Sequence, residues 1–335
     1  MFNFTYFVFL IISMVILYFF TKYRHGIGKF FQVLDLPKED KIHITTTPLI
    51  GSFPLIFFSL IFIICFNSIN NIKIIFTYSY LFFIMGYVDD RYNINANLKL
   101  LISAIIVIMI LNFSEIFVLK YIYIDFLEKS FSLKKISIFF SVLCLLLLIN
   151  ALNLMDGING LASGFASLWT LCLSLLSNGE TKTFLLLFSI FMFVNTYNII
   201  KNKYFLGDSG SLFLGILIGL ITIFTYNNLL LVNILMPVEK IFIFFMIPGV
   251  DMFRLFLFRL RRGKNPFSGD LDHLHHRMLR YFSLNKTLGF YFVLFVMTNY
   301  LSFFNLIKPI IIIMIYLLIY VFFIFFSKTK LKNSS

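Results

Sequence analysis

The chain alternates between long apolar runs and short polar segments. A helix that crosses a bilayer needs about 20 apolar residues, and fewer where the bilayer thins. On this basis the pattern predicts about eleven membrane-spanning helices. Their approximate ranges are 4–21, 48–66, 74–88, 98–113, 135–151, 161–177, 183–199, 211–232, 236–258, 288–304 and 308–326. We therefore expect an all-α, polytopic membrane helix bundle that forms one transmembrane domain over residues 1–335.

The composition agrees with this membrane assignment. The chain is 60% hydrophobic, 13% of its residues are charged, and its mean hydropathy is +0.94, well outside the range of soluble domains. The first apolar run lacks the basic segment and cleavage site of a signal peptide, and Lys22 and Arg24 follow it directly. We expect a retained helix with its N-terminus outside. The three cysteines fall within predicted spans, at spacings that indicate neither a disulfide framework nor a metal knuckle.

The distribution of basic residues predicts the orientation. With the N-terminus outside, most of the 28 Lys and Arg residues fall in the inner loops and in the tail after residue 326. This bias follows the positive-inside rule and places the C-terminus in the cytoplasm. The net charge of +13 thus reflects the membrane topology. The sequence shows no soluble basic face of the kind that binds nucleic acid. Segment 114–134 is the sizeable outer loop, and its mixed content suggests a hairpin or an interfacial piece.

Four carboxylates lie where predicted spans meet inner loops: Asp89, Asp90, Asp156 and Asp208. Acidic residues at membrane depth are costly and usually functional. The adjacent pair Asp89-Asp90 suits a metal ion, a basic partner or a proton to be taken. The alternative for this pair is a solvated polar loop.

The segment that follows the predicted fifth span contains amide, acidic and glycine residues. Asn153 and Asp156 are three positions apart and would share one face of a helix. The nearby glycines remove side chains where a ligand or another backbone approaches. The pattern Gly160-x-x-x-Gly164 is also a helix-packing motif, which explains the glycines but not the polar residues at the end of a span.

The run Gly207-Asp-Ser-Gly-Ser211 opens the predicted eighth span. Free N–H groups at a helix start form a natural anion site. Asp208 could instead cap that helix. A phosphate beside an aspartate calls for a bridging cation, and Mg²⁺ prefers one or two carboxylates together with substrate phosphate oxygens.

The last inner loop contains three of the five histidines, His273, His275 and His276, followed by Arg277. His273 and His276 could supply two ligands of a zinc site. The imidazoles and Arg277 could equally bind phosphate oxygens, or the segment could be a solvated loop.

Taken together and in this order, the motifs resemble the polyprenyl-phosphate N-acetylhexosamine-1-phosphate transferases over about residues 35–280. They are Lys41-Ile-His43, Thr47-Pro-Leu-Ile-Gly51, Asp89-Asp90, Asn153-x-x-Asp156-Gly157, Phe205-Leu-Gly-Asp208-x-Gly-Ser211 and His273-x-His275-His276. The His-x-His-His form and the predicted span count resemble the N-acetylglucosamine-1-phosphate branch rather than the peptidoglycan branch. Two departures are Asn159, where many members have aspartate, and Gly51-Ser52, where paired glycines are usual. Asn159 resembles the sub-branch that uses modified N-acetylhexosamines.

The resemblance implies a reaction at the cytoplasmic face of a bacterial inner membrane. Undecaprenyl phosphate would attack a UDP-N-acetylhexosamine, release UMP and start a surface polysaccharide such as O-antigen. Catalysis would rest on charge neutralisation and in-line positioning, with Mg²⁺, or Mn²⁺ in its place, as the cofactor. A homodimer is compatible with this resemblance.

The resemblance also implies roles for individual residues. The metal ligands would be Asp208 and Asp156, and the lipid phosphate would be oriented or deprotonated by Asp89 and Asp90. Phosphate oxygens would be bound by His273, His275 and His276, and Asn153 and Arg277 would contact substrate. Phe205 would stack on uracil, with Asn159 and Lys41 near the base. Two alternatives stay open at this point. One is the phospho-MurNAc-pentapeptide transferase of peptidoglycan synthesis, and the other is a secondary transporter of an anionic solute with a carboxylate path.

Overall fold

The structure is a computed structural model, and it describes residues 4–35, 46–66, 70–231, 236–265 and 272–332. Lys41 and the Lys41-Ile-His43 motif lie outside the described residues. The helices of the described residues are α1 (Phe4–Lys22), α2 (Arg24–Phe30), α3 (Phe53–Cys65), α4 (Asn70–Tyr92), α5 (Ala96–Phe113), α6 (Ser137–Met155), α7 (Leu161–Leu176), α8 (Gly179–Ile200), α9 (Gly207–Leu231), α10 (Val238–Arg261), α11 (Leu274–Leu279), α12 (Leu284–Phe303) and α13 (Pro309–Lys332). The predicted all-α class is confirmed, because the strands within the described part of the chain are limited to two short two-stranded sheets.

Each of the predicted spans corresponds to one of these helices. Among the described residues, eight helices are long and apolar enough to cross a membrane. The apolar helices α3 and α7 are shorter, with 13 and 16 residues. The chain is therefore a multi-pass membrane protein by helix length and composition.

Two span boundaries differ from the prediction. The span predicted from residue 48 begins as a helix at Phe53, because Thr47–Pro48 forms β2, an antiparallel partner of β1 (Leu34–Asp35). The span predicted over 74–88 extends over Asn70–Tyr92, so Asp89 and Asp90 belong to the last turn of α4 rather than to a loop.

The described chain divides into two compact units. Unit 1 comprises Met1–Phe117 and Val142–Thr225, and unit 2 comprises Val118–Ser141 and Tyr226–Ser335. The prediction of a single transmembrane domain stays a prediction.

Phenylalanine side chains form the core of unit 1. Phe58 of α3 packs against Phe188 and Phe191 of α8, with ring centroids 5.3 Å and 4.7 Å apart. Phe213 of α9 lies parallel to Phe76 of α4 at 6.4 Å. Helix α9 is the most deeply buried of the candidate spans. Its first turn is therefore held in place by close packing on neighbouring helices.

Unit 2 contains α10 to α13 and a hairpin within residues 121–132. Strands β3 (Tyr121–Ile124) and β4 (Lys129–Ser132) pair antiparallel, which confirms the hairpin suggested for segment 114–134. The carboxylate of Glu239 at the start of α10 accepts the backbone N–H groups of Asp125 and Phe126 at 3.2 and 3.1 Å. Because Glu239 is buried, this contact ties the hairpin to α10.

Candidate functional site

The site in unit 1 depends on a close approach between α4 and the first turn of α9. A methyl group at Gly86 would lie 2.4 Å from the carbonyl oxygen of Asp208 and 2.5 Å from Cα of Ser209. Only glycine allows this backbone contact without a shift. Since Asp89 and Asp90 lie one turn beyond Gly86, the contact brings them to the start of α9.

Asp90 caps the start of α9. Its carboxylate accepts the backbone N–H of Asp208 at 2.7 Å and that of Ser209 at 3.0 Å. Gly207 has a left-handed φ of +75°, and a methyl there would lie 2.8 Å from an Asp90 oxygen. The expectation of free N–H groups at this helix start is therefore wrong for these two groups. A carboxylate of the chain itself occupies the position that we expected for an anion.

Asp208 lies at the centre of a polar network. Its Oδ1 accepts Asn153 Nδ2 at 2.7 Å, and its Oδ2 accepts Lys99 Nζ at 2.6 Å. Asn153 Nδ2 also contacts Ser211 Oγ at 2.9 Å. Lys99 forms a second ion pair, with Asp89. One lysine thus bridges two of the four predicted carboxylates.

Asp156 follows the end of α6 and adds a fourth carboxyl group. Burial raises the pKa of the Asp156 carboxyl well above its usual range, and the charges of Asp208 and Asp90 raise it further. The Gly207 N–H favours the charged form but does not offset these effects. The structure therefore brings Asp90 and Asp156 close to Asp208, and Lys99 joins Asp208 to Asp89. We call Asp89, Asp90, Lys99, Asp156 and Asp208 the carboxylate cluster.

The donor set of the carboxylate cluster fits a divalent cation. The cluster contains four carboxyl groups and a single lysine, and burial together with the charges of Asp208 and Asp90 raises the pKa of Asp156. Oxygen ligands of this type are those that Mg²⁺ prefers. Asp156 and Asp208 as metal ligands stay predictions.

A buried hydrogen-bond chain holds the loop before α9. The N–H of Gly51 donates to the carbonyl of Phe205 at 2.9 Å, and the N–H of Phe205 donates to the carbonyl of Pro48 at 2.9 Å. Asn195 Nδ2 donates to the Gly51 carbonyl at 3.0 Å, and Tyr204 Oη donates to Asn195 Oδ1 at 2.7 Å. Burial raises the pKa of Tyr204 to about 12, so its hydroxyl stays a donor. The Thr47–Gly51 motif thus positions the backbone of Phe205.

The two predicted base-binding residues of this unit are partly exposed. Asn159 Nδ2 donates to Oδ1 of Asn202 at 2.5 Å, and Asn202 has a left-handed φ of +54°. Asn159 is therefore joined to the loop that leads to Phe205. The roles of Asn159 and Phe205 at uracil stay predictions.

The predicted histidines lie in unit 2 around Asp251, a residue of α10. His273 Nδ1 lies 2.8 Å from Asp251 Oδ2. The rings of His273 and His275 are nearly parallel, with centroids 5.2 Å apart, and both residues are buried. His276 is partly exposed. We call Asp251, His273, His275 and His276 the histidine cluster.

The surroundings of His275 and Arg277 bear on the expectation that these residues bind phosphate oxygens. Burial lowers the pKa of His275 well below its usual range, and His276 lowers it further, so His275 is neutral at pH 7. Arg277 is buried, and its Nε and Nη2 contact Asp272 Oδ1 at 2.8 and 2.6 Å. Neutral His275 can offer a hydrogen bond to a phosphate, but no charge. Binding of substrate by Arg277 stays a prediction.

The arrangement does not favour the expected zinc pair. Among the described residues, the group whose ligand atoms converge within 4.8 Å is Asp251, His273 and His275, rather than His273 with His276. Both Asp251 oxygens already accept hydrogen bonds, and Nη2 of Arg254 lies 3.1 Å from Oδ1 of Asp251. A cation is a poor neighbour for a second cation, so a hydrogen-bonded cluster explains this geometry better than a metal centre.

Sequence reasoning missed Lys99 and Asp251. Lys99 lies at the start of the predicted span 98–113, where the positive-inside rule alone accounts for a basic residue. Asp251 lies within the apolar run 236–258, and an ionisable residue inside a span is by default a candidate functional residue. That signal was present in the sequence.

Comparison with known proteins supports the resemblance. The model of glycosyl transferase family 4 matches residues 72–226, which include the whole carboxylate cluster but not the histidine cluster. A relative from Bacillus subtilis (strain 168), named probable undecaprenyl-phosphate N-acetylglucosaminyl 1-phosphate transferase, is 30% identical over 262 residues. The match covers 74% of this chain and 70% of that relative. The chain belongs to glycosyl transferase family 4.

Two other relatives are named undecaprenyl-phosphate alpha-N-acetylglucosaminyl 1-phosphate transferase. The one from Escherichia coli (strain K12) is 28% identical over 205 residues, covering 58% of this chain and 55% of the relative. The one from Salmonella typhi is 25% identical over 259 residues, covering 74% and 69%. The chain thus spans about half of one relative and about two thirds of the other. Membership of glycosyl transferase family 4 confirms the resemblance deduced from the ordered motifs.

Proposed function

We propose that this chain transfers an N-acetylhexosamine 1-phosphate from a UDP-sugar to undecaprenyl phosphate and releases UMP. The observation that carries the proposal is the carboxylate cluster, which lies entirely within the matched family segment. The relatives' names supply the acceptor lipid and favour the N-acetylglucosamine branch over the peptidoglycan enzyme. The transporter alternative loses its support, because the family is a transferase family.

In the proposed reaction, a phosphate oxygen of the lipid attacks the β-phosphorus of the UDP-sugar. The bond from that phosphorus to the bridging oxygen breaks, and UMP leaves with the oxygen. Both substrates are anionic, so neutralisation of charge and in-line positioning dominate catalysis. Mg²⁺, when bound, would neutralise the diphosphate, and Asp208 and Asp156 would hold it.

The chain's own contacts support distinct roles within the carboxylate cluster. Asp90 holds the first turn of α9 through two backbone N–H groups, which makes it a positioning residue as well as a candidate for the lipid phosphate. Asp89 is held by Lys99 and by the N–H of Ile94, so its orientation is fixed before substrate binds. Preorganised charges of this kind cost no rearrangement during the reaction.

The location of the site, the product and the class of sugar follow from the same proposal. The site faces the cytoplasm in a bacterial inner membrane, and the product starts a cell-surface polysaccharide such as O-antigen. The sugar is an N-acetylhexosamine, and Asn159 contributes to its selection or to recognition of the base.

A panel of sugar donors tests the proposal. Purified full-length protein would be mixed with undecaprenyl phosphate, Mg²⁺ and, in separate reactions, UDP-N-acetylglucosamine, UDP-N-acetylgalactosamine or UDP-MurNAc-pentapeptide. We expect UMP and a lipid-linked sugar phosphate with an N-acetylhexosamine donor, and no product when the metal is chelated. Product from the pentapeptide donor alone would assign the chain to the peptidoglycan reaction instead.

A further inference from the structure

Ser52 carries a hydroxyl group that its own helix does not use. It is the N-cap residue of α3, where a serine side chain usually accepts the N–H of the second or third helical residue. Here the second residue is Pro54, which has no N–H, and the N–H of Leu55 donates to the Ser52 carbonyl at 3.0 Å. Ser52 is completely buried, and its side chain makes no capping hydrogen bond. A buried hydroxyl of this kind requires a partner elsewhere in the fold.

The partner of Ser52 is Ser209, in the first turn of α9. The two hydroxyl oxygens lie 2.8 Å apart, although the residues are 157 positions apart in the chain, and both residues are completely buried. The backbones around them approach closely. A methyl group at Gly51 would lie 2.8 Å from the carbonyl oxygen of Phe205, and one at Gly210 would lie 3.4 Å from the Cβ atom beside it, that of Ser52. The Ser52 side chain is therefore confined against α9.

Ser209 connects this contact to the carboxylate cluster. Its backbone N–H donates to Oδ2 of Asp90 at 3.0 Å, and its side chain also forms a hydrogen bond with the Asp90 carboxyl group. A hydroxyl can donate one hydrogen bond and accept another, so the Ser209 side chain can hold Ser52 and Asp90 at the same time. Ser52 is thus one residue removed from Asp90 in a buried chain of side chains.

We propose that Ser52 is a positioning residue for the transfer reaction, which holds the Ser209 hydroxyl and, through it, the Asp90 carboxylate and the first turn of α9. The link to the reaction rests on the proposed function, whereas the link to the turn does not. Asp90 also accepts the N–H of Asp208 at 2.7 Å, so a displacement at Ser209 affects two members of the carboxylate cluster. Small displacements of reacting groups are costly in rate.

The test compares two serine-to-alanine variants. Ser52→Ala removes the hydroxyl that holds Ser209. Ser59→Ala is the matched control, because Ser59 lies about two turns further along α3, is completely buried, and has its hydroxyl 2.8 Å from that of Tyr80. The described hydrogen bonds of the Ser59 side chain go to Tyr80 and to the carbonyl of Ile56, not to the carboxylate cluster. Both variants should lower the melting temperature, since each leaves a buried hydroxyl without its partner.

The first measurement does not depend on activity. Hydrogen–deuterium exchange of the full-length protein, followed by mass spectrometry, reports how often the N–H groups of Asp208 and Ser209 separate from Asp90. In Ser52→Ala we expect peptides that contain this turn to exchange on the order of tenfold faster, because a buried hydrogen bond that holds the turn is lost. In Ser59→Ala the same peptides should exchange at the wild-type rate.

The second measurement separates kcat from KM for the UDP-sugar. Ser52→Ala should lower kcat by at least about tenfold and leave KM within about twofold, because the change misplaces reacting groups without removing a contact to the donor. In the Ser209→Ala background the same change should cost less than about threefold, because residues that act through one another are not additive. Ser59→Ala should keep the wild-type kcat.

Three results would overturn the proposal. They are wild-type exchange of the α9 turn in Ser52→Ala, equal losses of kcat from Ser52→Ala with and without the Ser209 hydroxyl, and an equal loss of kcat in Ser59→Ala. If Ser52→Ala fails to fold, Ser52→Cys replaces it in both measurements, since a thiol keeps the shape but is a weaker donor. If no donor supports transfer, the proposed function fails, and the exchange rates still decide whether Ser52 holds the turn.

Discussion

At the level of single residues, the carboxylates of unit 1 have different partners, although the sequence presents them as alike. Asp90 is bound by two backbone N–H groups, and Asp208 by Asn153 and Lys99. Asp156 lacks a lysine partner in the described contacts, and burial, followed by the charges of Asp208 and Asp90, raises the pKa of its carboxyl. These differences are what a chemically asymmetric site needs, since metal, lipid phosphate and diphosphate place different demands on each carboxylate.

The first prediction concerns Asp208. Asp208→Asn should abolish transfer, because the amide removes a charge from the centre of the network while keeping its shape. Asp125→Asn, in the outer hairpin, is the matched control and should retain activity. The measurement is the initial rate of UMP release by protein that elutes as a single species. A rate within tenfold of the wild type, a loss of about 1.4 kcal/mol, would be too small for a metal carboxylate.

The second prediction separates Asn159 from Asp156. Asn159→Asp places a charge beside Asn202, so it should change the KM for the UDP-sugar or the sugar preference more than kcat. Asp156→Asn should remove most of kcat with every donor. Both constants would be measured for each variant with the best donor. If Asn159→Asp removes kcat as fully as Asp156→Asn with KM unchanged, Asn159 belongs to the chemical step.

At the level of elements, the contact between α4 and α9 assembles the carboxylate cluster. The apolar runs predicted both helices, since a continuous hydrophobic stretch fixes the existence of a span. They did not predict that α4 continues through Asp89 and Asp90, because a polar helix end has no hydropathy signal. Nor did they reveal Lys99 as a shared partner, because that contact joins residues 109 positions apart.

The histidine segment shows the same limit. The residue spacing indicates a cluster of His273, His275 and His276, and the structure brings these residues together. Their partner Asp251 is 22 positions away and lies inside an apolar helix. In a hydropathy profile such a residue is only a polar interruption of a span. Its side-chain contacts in the structure indicate its role.

The third prediction tests the α4–α9 contact. Gly86→Ala would place a methyl within 2.5 Å of the backbone of Asp208 and Ser209, so the helices must separate. We expect a lower melting temperature and a loss of activity on the order of 10²-fold, because small displacements of catalytic groups are costly.

The matched control for this variant is Gly289→Ala in α12, where a methyl meets nothing within 4 Å. Alanine is favoured over glycine in a helix by about 1 kcal/mol, so this change should be neutral or stabilising. Wild-type activity in Gly86→Ala would show that the carboxylate cluster tolerates a wider spacing of α4 and α9.

At the level of the whole molecule, a net charge of +13 on a chain that is 60% hydrophobic has to be arranged across the membrane. The positive-inside rule predicts that the inner loops, and with them the segments that carry Asp156 and Asp208, lie in the cytoplasm. This side is the one on which a UDP-sugar would be available to the proposed reaction. Orientation therefore links the topology of the chain to its chemistry.

The last prediction tests this orientation by cysteine labelling in a variant that lacks Cys65, Cys144 and Cys172. A cysteine replacing Lys201, an exposed residue after α8, should react with an impermeant thiol reagent only after the inner face is opened. One replacing Ser130, an exposed residue of the outer hairpin, should react in intact cells. Both variants would be checked for transferase activity, so that labelling reports on functional protein. Labelling of the position 201 cysteine in intact cells would place the Asp208 loop on the outer face, where the proposed reaction with a cytoplasmic UDP-sugar could not occur.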